Sequence, residues 1–217
     1  MATRRLLSEL VRAFDASDRV VLESVGGVDA VARVRAGEAF DAVVLAADVI
    51  DQLTSEGRIV AGSRVDLVRS GVAMAVRSGA PRPDIGSEDA VRRAVEAATS
   101  VSYSTGPSGV HLARLFERWG IADTVKSRTV QAPPGVPVGT LVAEGKAELG
   151  FQQLSELMHV KGIDVVGPLP QAIQVVTTFS AGVAATSTQP EGVRAMLTFM
   201  ASSAAAPAKR RNGMEPP

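Results

Sequence analysis

The sequence contains no cysteine, and it has one tryptophan and one tyrosine among its 217 residues. The lack of cysteine excludes disulfide bonds, thiolate nucleophiles and cysteine-ligated metals. So few large aromatic side chains argue against a cofactor that needs a stacking surface, and we expect no cofactor. The two histidines, His111 and His159, stand far apart with no carboxylate pattern beside them, so the sequence predicts no metal site.

An excess of charge of either sign is also missing, because 23 basic residues balance 23 acidic ones. No basic block is interleaved with aromatics, which excludes a nucleic-acid partner. No apolar run approaches the roughly eighteen residues of a membrane span, so we expect no direct membrane insertion. No export signal precedes the first helix, which leaves the location open: periplasmic if a signal peptide was removed, otherwise cytoplasmic.

Strand and helix patterns alternate along the first quarter of the sequence. The predicted elements are a helix over 6–14 capped by Thr3, a strand over 19–23, a helix with Val28, Val31, Ala32 and Val34 facing inward, a strand over 42–45, and a helix over 46–53. Such alternation is typical of a parallel sheet with helices on both sides.

Two long β-rich tracts, 65–77 and 173–185, indicate that the chain crosses twice between two structural units. A similar helix end, glycine and strand occur at 34–43 and 142–151, which favours two units of similar build. We therefore expect an α/β fold with two Rossmann-like lobes and a hinge of two crossover strands. Lobe 1 would contain residues 1–70 and 180–217 and lobe 2 residues 71–179, with a ligand cleft between them.

Residues 100–119 read as a buried strand that turns sharply into a helix. Ser104 and Thr105 can cap the helix, Gly106 permits the turn, and Pro107 suits the first helical position. With Ser108, the hydroxyls and the free amides of the first turn form a site suited to a carboxylate or oxyanion. A well-capped helix without a ligand is the alternative.

His111 has both a functional and a structural interpretation, and a basic run near the end of the sequence has a structural one. His111 lies four residues beyond Pro107, so it could act as an acid or base on a ligand at the helix start, or it could be a packing residue. The basic run at 209–211 predicts solvated charges.

Several motifs resemble those of the periplasmic molybdate-binding proteins, which have the type II solute-binding fold. The resembling segments are 24–33 with 37–47 in the first lobe, then 106–109, 145–150 and the closing GMEP. The resemblance implies an ABC-transporter solute-binding protein that closes on a small anion and works with a membrane permease. Relatives of this fold include aconitate isomerase-like proteins.

The resemblance also implies a set of ligand-binding residues. They are Gly26, Gly27, Val28, Ser104, Thr105, Gly106, Ser108, Gly109, Gln152, Gln153 and Ser155. Val28 stands where a molybdate binder has serine, Gln153 stands where it has tyrosine, and no strand precedes the first helix. The remaining amides and hydroxyls suit an organic carboxylate better than molybdate.

Three hypotheses about function follow. The leading one is a small-anion binding protein of the transport type, with an organic carboxylate as ligand. The alternative is an isomerase or lyase of a small unsaturated carboxylic acid on the same scaffold, with His111 as the candidate catalytic residue. The third is a relative that binds nothing tightly.

Overall fold

The computed structural model describes residues 2–14, 20–133 and 135–217. The helices are α1 (Arg4–Ala13), α2 (Gly27–Arg35), α3 (Ala47–Ser55), α4 (Glu88–Ala97), α5 (Pro107–Arg118), α6 (Ala122–Lys126), α7 (Val138–Ala143), α8 (Leu154–Leu157), α9 (Pro190–Ala201) and α10 (Ala206–Arg211). The strands are β1 (Ala42–Ala46), β2 (Val65–Arg77), β3 (Val101–Tyr103), β4 (Leu149–Gln153), β5 (Ile163–Pro168) and β6 (Val176–Val183). None of the helices in these ranges is long and apolar enough to cross a bilayer.

The chain divides into two compact units. Unit 1 comprises Met1–Ser70 and Thr177–Pro217, and unit 2 comprises Gly71–Val176. The predicted α/β fold class is confirmed, since strands of a mixed sheet alternate with helices along the chain. The predicted lobes, 1–70 with 180–217 and 71–179, stay a prediction, because compact units do not by themselves establish hinged lobes.

In unit 1, β1 runs antiparallel to β6, with Val44 opposite Ala181. The parallel pairing predicted for this part of the chain is therefore wrong. The reason is that β6 returns from the far end of the sequence in the opposite direction, which local periodicity does not reveal. Within the described ranges, β3 and β4 form the parallel strand pair.

The first part of unit 1, from α1 to α2, differs from the predictions in three places. Residues 20–23 form no strand and leave Val21 exposed, while Arg19 lies outside the described residues. Thr3 occupies the N-cap position of α1, but its side chain makes no capping hydrogen bond. In α2, Val34 is buried as predicted, whereas Val28 and Ala32 are exposed.

The C-terminal segment contains α10. The sequence did not predict this helix, because its small residues show no apolar stripe. This helix packs with α1 and α9 in one apolar cluster that includes Leu6, Leu197 and Met214. Lys209 is fully buried, so the prediction that it is a solvated charge is wrong. The same helix exposes Arg210 and Arg211.

In unit 2, the second half of β2 pairs antiparallel with β4 and with β5. The core lies between this sheet and helices α4 and α5, and its largest buried side chains are Phe116 and Phe151. Ser87 caps α4, because its Oγ accepts a hydrogen bond from the Ala90 amide at 3.1 Å. The packing of Leu112, Leu115 and Phe116 in this core holds α5 against the sheet.

Candidate functional site

The candidate site lies at the carboxyl ends of β3 and β4 in unit 2. The two strands are parallel and in register, with Ser102 beside Gly150 and Tyr103 beside Phe151. β3 ends at Tyr103 and β4 at Gln153, so the segments 104–109 and 154–155 both leave the sheet at its carboxyl edge.

The turn from β3 into α5 is set by local sequence. Gly106 is the N-cap residue and Pro107 occupies the first helical position, where its missing N–H costs no hydrogen bond. Leu112 and Phe116 bury one face of α5 against the sheet. The predicted capping by Ser104 or Thr105 is wrong, since the helix has no side-chain cap; instead, Ser104 Oγ accepts from the Gly106 amide at 3.3 Å.

Polar groups crowd the first turn of α5. The hydroxyls of Ser104 and Ser108 share a hydrogen bond at 3.0 Å, with Ser108 buried and Thr105 exposed. The amides of Gly109 and Val110 both bond to the Gly106 carbonyl. Within the described part of the chain, the Ser108 amide has no acceptor. This turn therefore presents a free N–H beside two hydroxyls, in the field of a helix N-terminus.

Gly109 has a structural role at this turn. An ideal Cβ on Gly109 would lie 1.5 Å from the Ser104 carbonyl oxygen and 3.3 Å from the Tyr103 ring. The glycine lets α5 sit directly on the end of β3, because any side chain would overlap the backbone there. This packing role does not test the predicted part of Gly109 in ligand binding, which stays a prediction.

Gln152 and Gln153 end β4 and are both buried. The side-chain oxygen Oε1 of Gln152 accepts a hydrogen bond from the Val138 amide at 2.9 Å. Gln152 therefore fixes the start of α7 to β4. Ser155 is also buried, and its hydroxyl has no hydrogen-bond partner among the residues described.

The sequence interpretation missed Glu156, which lies in the first turn of α8. Burial raises the pKa of this carboxyl above its ordinary value. Within the described ranges, no lysine or arginine forms a salt bridge with it. The available signal was its position, an acidic residue just beyond a fully buried strand that ends in two glutamines.

The structure places the two histidines in different surroundings. His111 Nε2 lies 2.8 Å from the Ile173 carbonyl oxygen, which requires that nitrogen to carry the proton and donate. His159 follows α8 and is half-buried. No group of three His, Asp or Glu side chains in the described ranges is arranged to hold a metal ion.

The remaining candidates, Gly26, Gly27 and Val28, lie in unit 1 at the start of α2. Gly26 is the N-cap residue and its carbonyl accepts from the Ala30 amide at 2.9 Å. Gly27 has open space around its α-carbon, and Val28 is 73% exposed. Their part in ligand binding stays a prediction.

A curated relative and a family model match most of the chain. The family model of bacterial extracellular solute-binding proteins matches residues 1–215. An aconitate isomerase from Pseudomonas sp is 44% identical over 187 residues, which are 85% of this chain and 70% of that protein.

Solved structures share the fold at low sequence identity. The periplasmic molybdate-binding protein of Azotobacter vinelandii superposes with a TM-score of 0.81 at 18% identity, covering 100% of this chain and 96% of that one. The sulfate-binding protein of Mycobacterium tuberculosis gives a TM-score of 0.76 at 18% identity, covering 97% and 82%. At such identities the likeness shows the fold alone. With the match of the family model over nearly its whole length, the chain belongs to the bacterial extracellular solute-binding protein family.

Proposed function

We propose that the protein binds a small unsaturated polycarboxylate, of which aconitate is the leading candidate, and interconverts its cis and trans forms. The observation that supports the binding step is the pair of unpartnered polar groups at the carboxyl edge of β3 and β4, the Ser108 amide and the Ser155 hydroxyl. The aconitate isomerase relative supports the choice of ligand and reaction.

A carboxylate suits this site for electrostatic and geometric reasons. The helix dipole and the free Ser108 amide favour an anion at the start of α5. The nearby hydroxyls of Thr105 and Ser155 can donate to a second oxygen of a planar carboxylate. Val28 and Gln153 replace the serine and tyrosine that the molybdate-binding resemblance implied, so a tetrahedral oxyanion is the less favoured ligand.

The proposed reaction is a proton transfer beside a carboxylate. A base removes a proton from the methylene carbon of trans-aconitate, and the electron pair forms a new double bond while the original one opens. A proton then returns to the former vinyl carbon, so the product is the cis isomer and no co-reactant is consumed. The step needs an anion site, for which we propose the start of α5, and an acid–base group, for which His111 and Glu156 are the candidates.

The second candidate function is that of a transport receptor, which the solute-binding family favours. In that case the protein would bind the same carboxylate and deliver it to a membrane permease without changing it. The two functions share the ligand and differ in turnover. Incubation with trans-aconitate and chromatographic detection of cis-aconitate separates them: conversion supports the isomerase, and binding without conversion supports the receptor.

Binding is tested by thermal shift with wild-type protein. At a ligand concentration near 100 Kd we expect about 2.7 kcal/mol of stabilisation, which for a chain of this size corresponds to a rise in Tm of roughly 5 °C or more. Trans-aconitate, cis-aconitate and the saturated analogue tricarballylate should raise the Tm more than molybdate or sulfate do. Equal or larger shifts with the tetrahedral anions would contradict the proposed ligand class.

The chain offers a matched pair of variants for locating the site. Ser155→Ala and Ser102→Ala each remove a buried hydroxyl that has no partner among the residues described, but Ser102 lies in the middle strand position of β3 and Ser155 at the carboxyl edge. We expect Ser155→Ala to weaken trans-aconitate binding about tenfold, the effect of one hydrogen bond to a charged group. Ser102→Ala should leave the Kd within twofold of wild type. Equal Kd values for both variants would place the ligand elsewhere.

A further inference from the structure

We propose that Gln131 is a specificity-determining residue of the carboxylate site, and that its side-chain amide donates a hydrogen bond to a second carboxylate of the bound ligand. The inference rests on the proposed function, because it adds a residue to the same site. It holds for the isomerase and for the transport receptor alike, since both bind the same polycarboxylate. Gln131 belongs to none of the ligand-binding segments that the family resemblance implied.

Backbone and side-chain contacts place Gln131 at the carboxyl edge of β3. Thr129 forms a parallel bridge with Val101, the first residue of this strand. Two residues further on, Nε2 of Gln131 donates to the Tyr103 carbonyl oxygen at 2.9 Å. Tyr103 is the last residue of β3 and directly precedes Ser104. Gln131 therefore lies beside the point where the chain leaves β3 for the start of α5.

β3 lies between two parallel neighbours that the chain reaches in opposite directions. From β3 the chain runs through α5 and α6 to the segment 129–131, and it then runs through α7 to β4. Both 129–131 and β4 pair with β3 in parallel, one on each side of it. The order of the strands in the sheet therefore reverses at β3.

The helices of these two connections cover opposite faces of the sheet. On one face, the Phe116 ring of α5 packs against the Tyr103 ring, with 5.8 Å between the centroids. Phe151 pairs with Tyr103, so the adjacent Gly150 points to the other face, where an added Cβ would lie 2.5 Å from Val142 of α7. In open α/β sheets such a reversal leaves a crevice at the carboxyl ends of the strands, and ligands bind there.

The Gln131 side chain is held in place and can still bind a ligand. A carbonyl oxygen only accepts hydrogen bonds, so the group that faces Tyr103 is the NH₂ of Gln131. One N–H is used in this contact, and the second has no acceptor among the residues described. Because Gln131 is exposed, a ligand at the carboxyl edge can accept from the second N–H while the first stays bonded.

A ligand with several carboxylates needs donors from more than one segment. The free Ser108 amide and the hydroxyls at the start of α5 can bind one carboxylate. Gln131 supplies a further donor from a different segment at the same edge. A neutral amide there favours a second carboxylate, whereas a carboxylate side chain in its place would repel it.

The experiment measures tricarballylate binding by isothermal titration calorimetry for Gln131→Met and Gln131→Glu. Methionine removes the donor, and we expect the Kd to rise about tenfold, the effect of one hydrogen bond to a charged group. Glutamate also adds a like charge, and we expect the Kd to rise about 30-fold or more. The Tm of both variants without ligand should stay within about 2 °C of wild type, because the residue is exposed.

Gln189→Glu is the matched control, since Gln189 is an exposed glutamine at the N-cap position of α9 in unit 1. This variant makes the same change of charge, and its Kd should stay within about twofold of wild type. An equal loss of binding in Gln189→Glu and Gln131→Glu would mean that net charge acts at long range, which overturns the inference.

The remaining outcomes separate this inference from the proposed function. If both Gln131 variants bind tricarballylate as wild type does, the inference is overturned and the proposed function stands. If wild type binds no polycarboxylate, both fail. If the variants do not fold, ¹⁵N-labelled wild type is titrated with tricarballylate instead: the side-chain amide signals of Gln131 should shift and saturate, and unchanged signals in a protein that binds would overturn the inference.

Discussion

Replacing Gly109 by alanine is expected to destabilise unit 2 more than any other single-methyl change near the candidate site. The new Cβ would lie 1.5 Å from the Ser104 carbonyl oxygen, a backbone atom that cannot move without displacing the end of β3. We expect a loss of about 3 kcal/mol or more in the free energy of unfolding, the upper range for overpacking, and a fall in Tm of roughly 6–12 °C. Chemical denaturation and calorimetry measure both.

Gly192→Ala is the matched control for this change. Gly192 also lies in the first turn of a long helix, α9, and an added Cβ would meet nothing within 4 Å. Alanine there should be neutral or should stabilise by about 0.5–1 kcal/mol, because it restricts the unfolded chain. Similar stabilities of Gly109→Ala and Gly192→Ala would mean that α5 does not sit on the end of β3 as described.

Replacing Lys209 by methionine is expected to stabilise unit 1. The lysine is fully buried in the cluster of α1, α9 and α10, and its amino group has no hydrogen-bond partner in the described part of the chain. Burying an unpaired polar group costs about 1–3 kcal/mol, and methionine fills the same space without that cost. We expect a rise in Tm of roughly 4–8 °C, measured by calorimetry at pH 7.

The gain from this substitution should depend on pH. Burial lowers the pKa of Lys209 below its ordinary value of 10.5, so the unfolded chain binds a proton that the folded protein binds more weakly. Wild-type stability therefore rises as the pH increases from the folded pKa toward 10.5, and the advantage of methionine shrinks over the same interval. Lys126→Met, at an exposed lysine of α6, should change stability by less than about 0.5 kcal/mol. An unchanged or lower stability of Lys209→Met would contradict the unpaired buried amine.

Local patterns in the sequence were enough to locate several elements of the fold. β2 could be predicted because Val65–Arg77 is a long tract rich in β-forming residues, and α4 because Ser87 precedes an apolar stripe at helical spacing. The direction of β1 could not, since it depends on a strand more than a hundred residues away. The helix at Ala206–Arg211 was missed because its alanines show no contrast between faces, and its lysine is buried only by tertiary packing.

Some features of the candidate site could likewise be predicted from local sequence, and others depend on tertiary packing. The turn at the start of α5 could be predicted from Gly106, Pro107 and the serines around them, because helix-start signals are local. The close approach of Gly109 to the Ser104 carbonyl could not be predicted, because it depends on how α5 packs on the end of β3. The sequence could show Glu156 only as an acidic residue just beyond a buried strand, since its raised pKa comes from burial, and burial is decided by the folding of the whole unit.

The most direct test of ligand binding at the start of α5 is a titration of ¹⁵N-labelled protein with trans-aconitate, following the backbone amide signals. The free Ser108 N–H is expected to show one of the largest shifts, with Gly109 and Ser155 among the next, and all should saturate with the Kd obtained from thermal shift. Saturable binding that moves other amides and leaves those of Ser108 and Ser155 unchanged would contradict the proposed site.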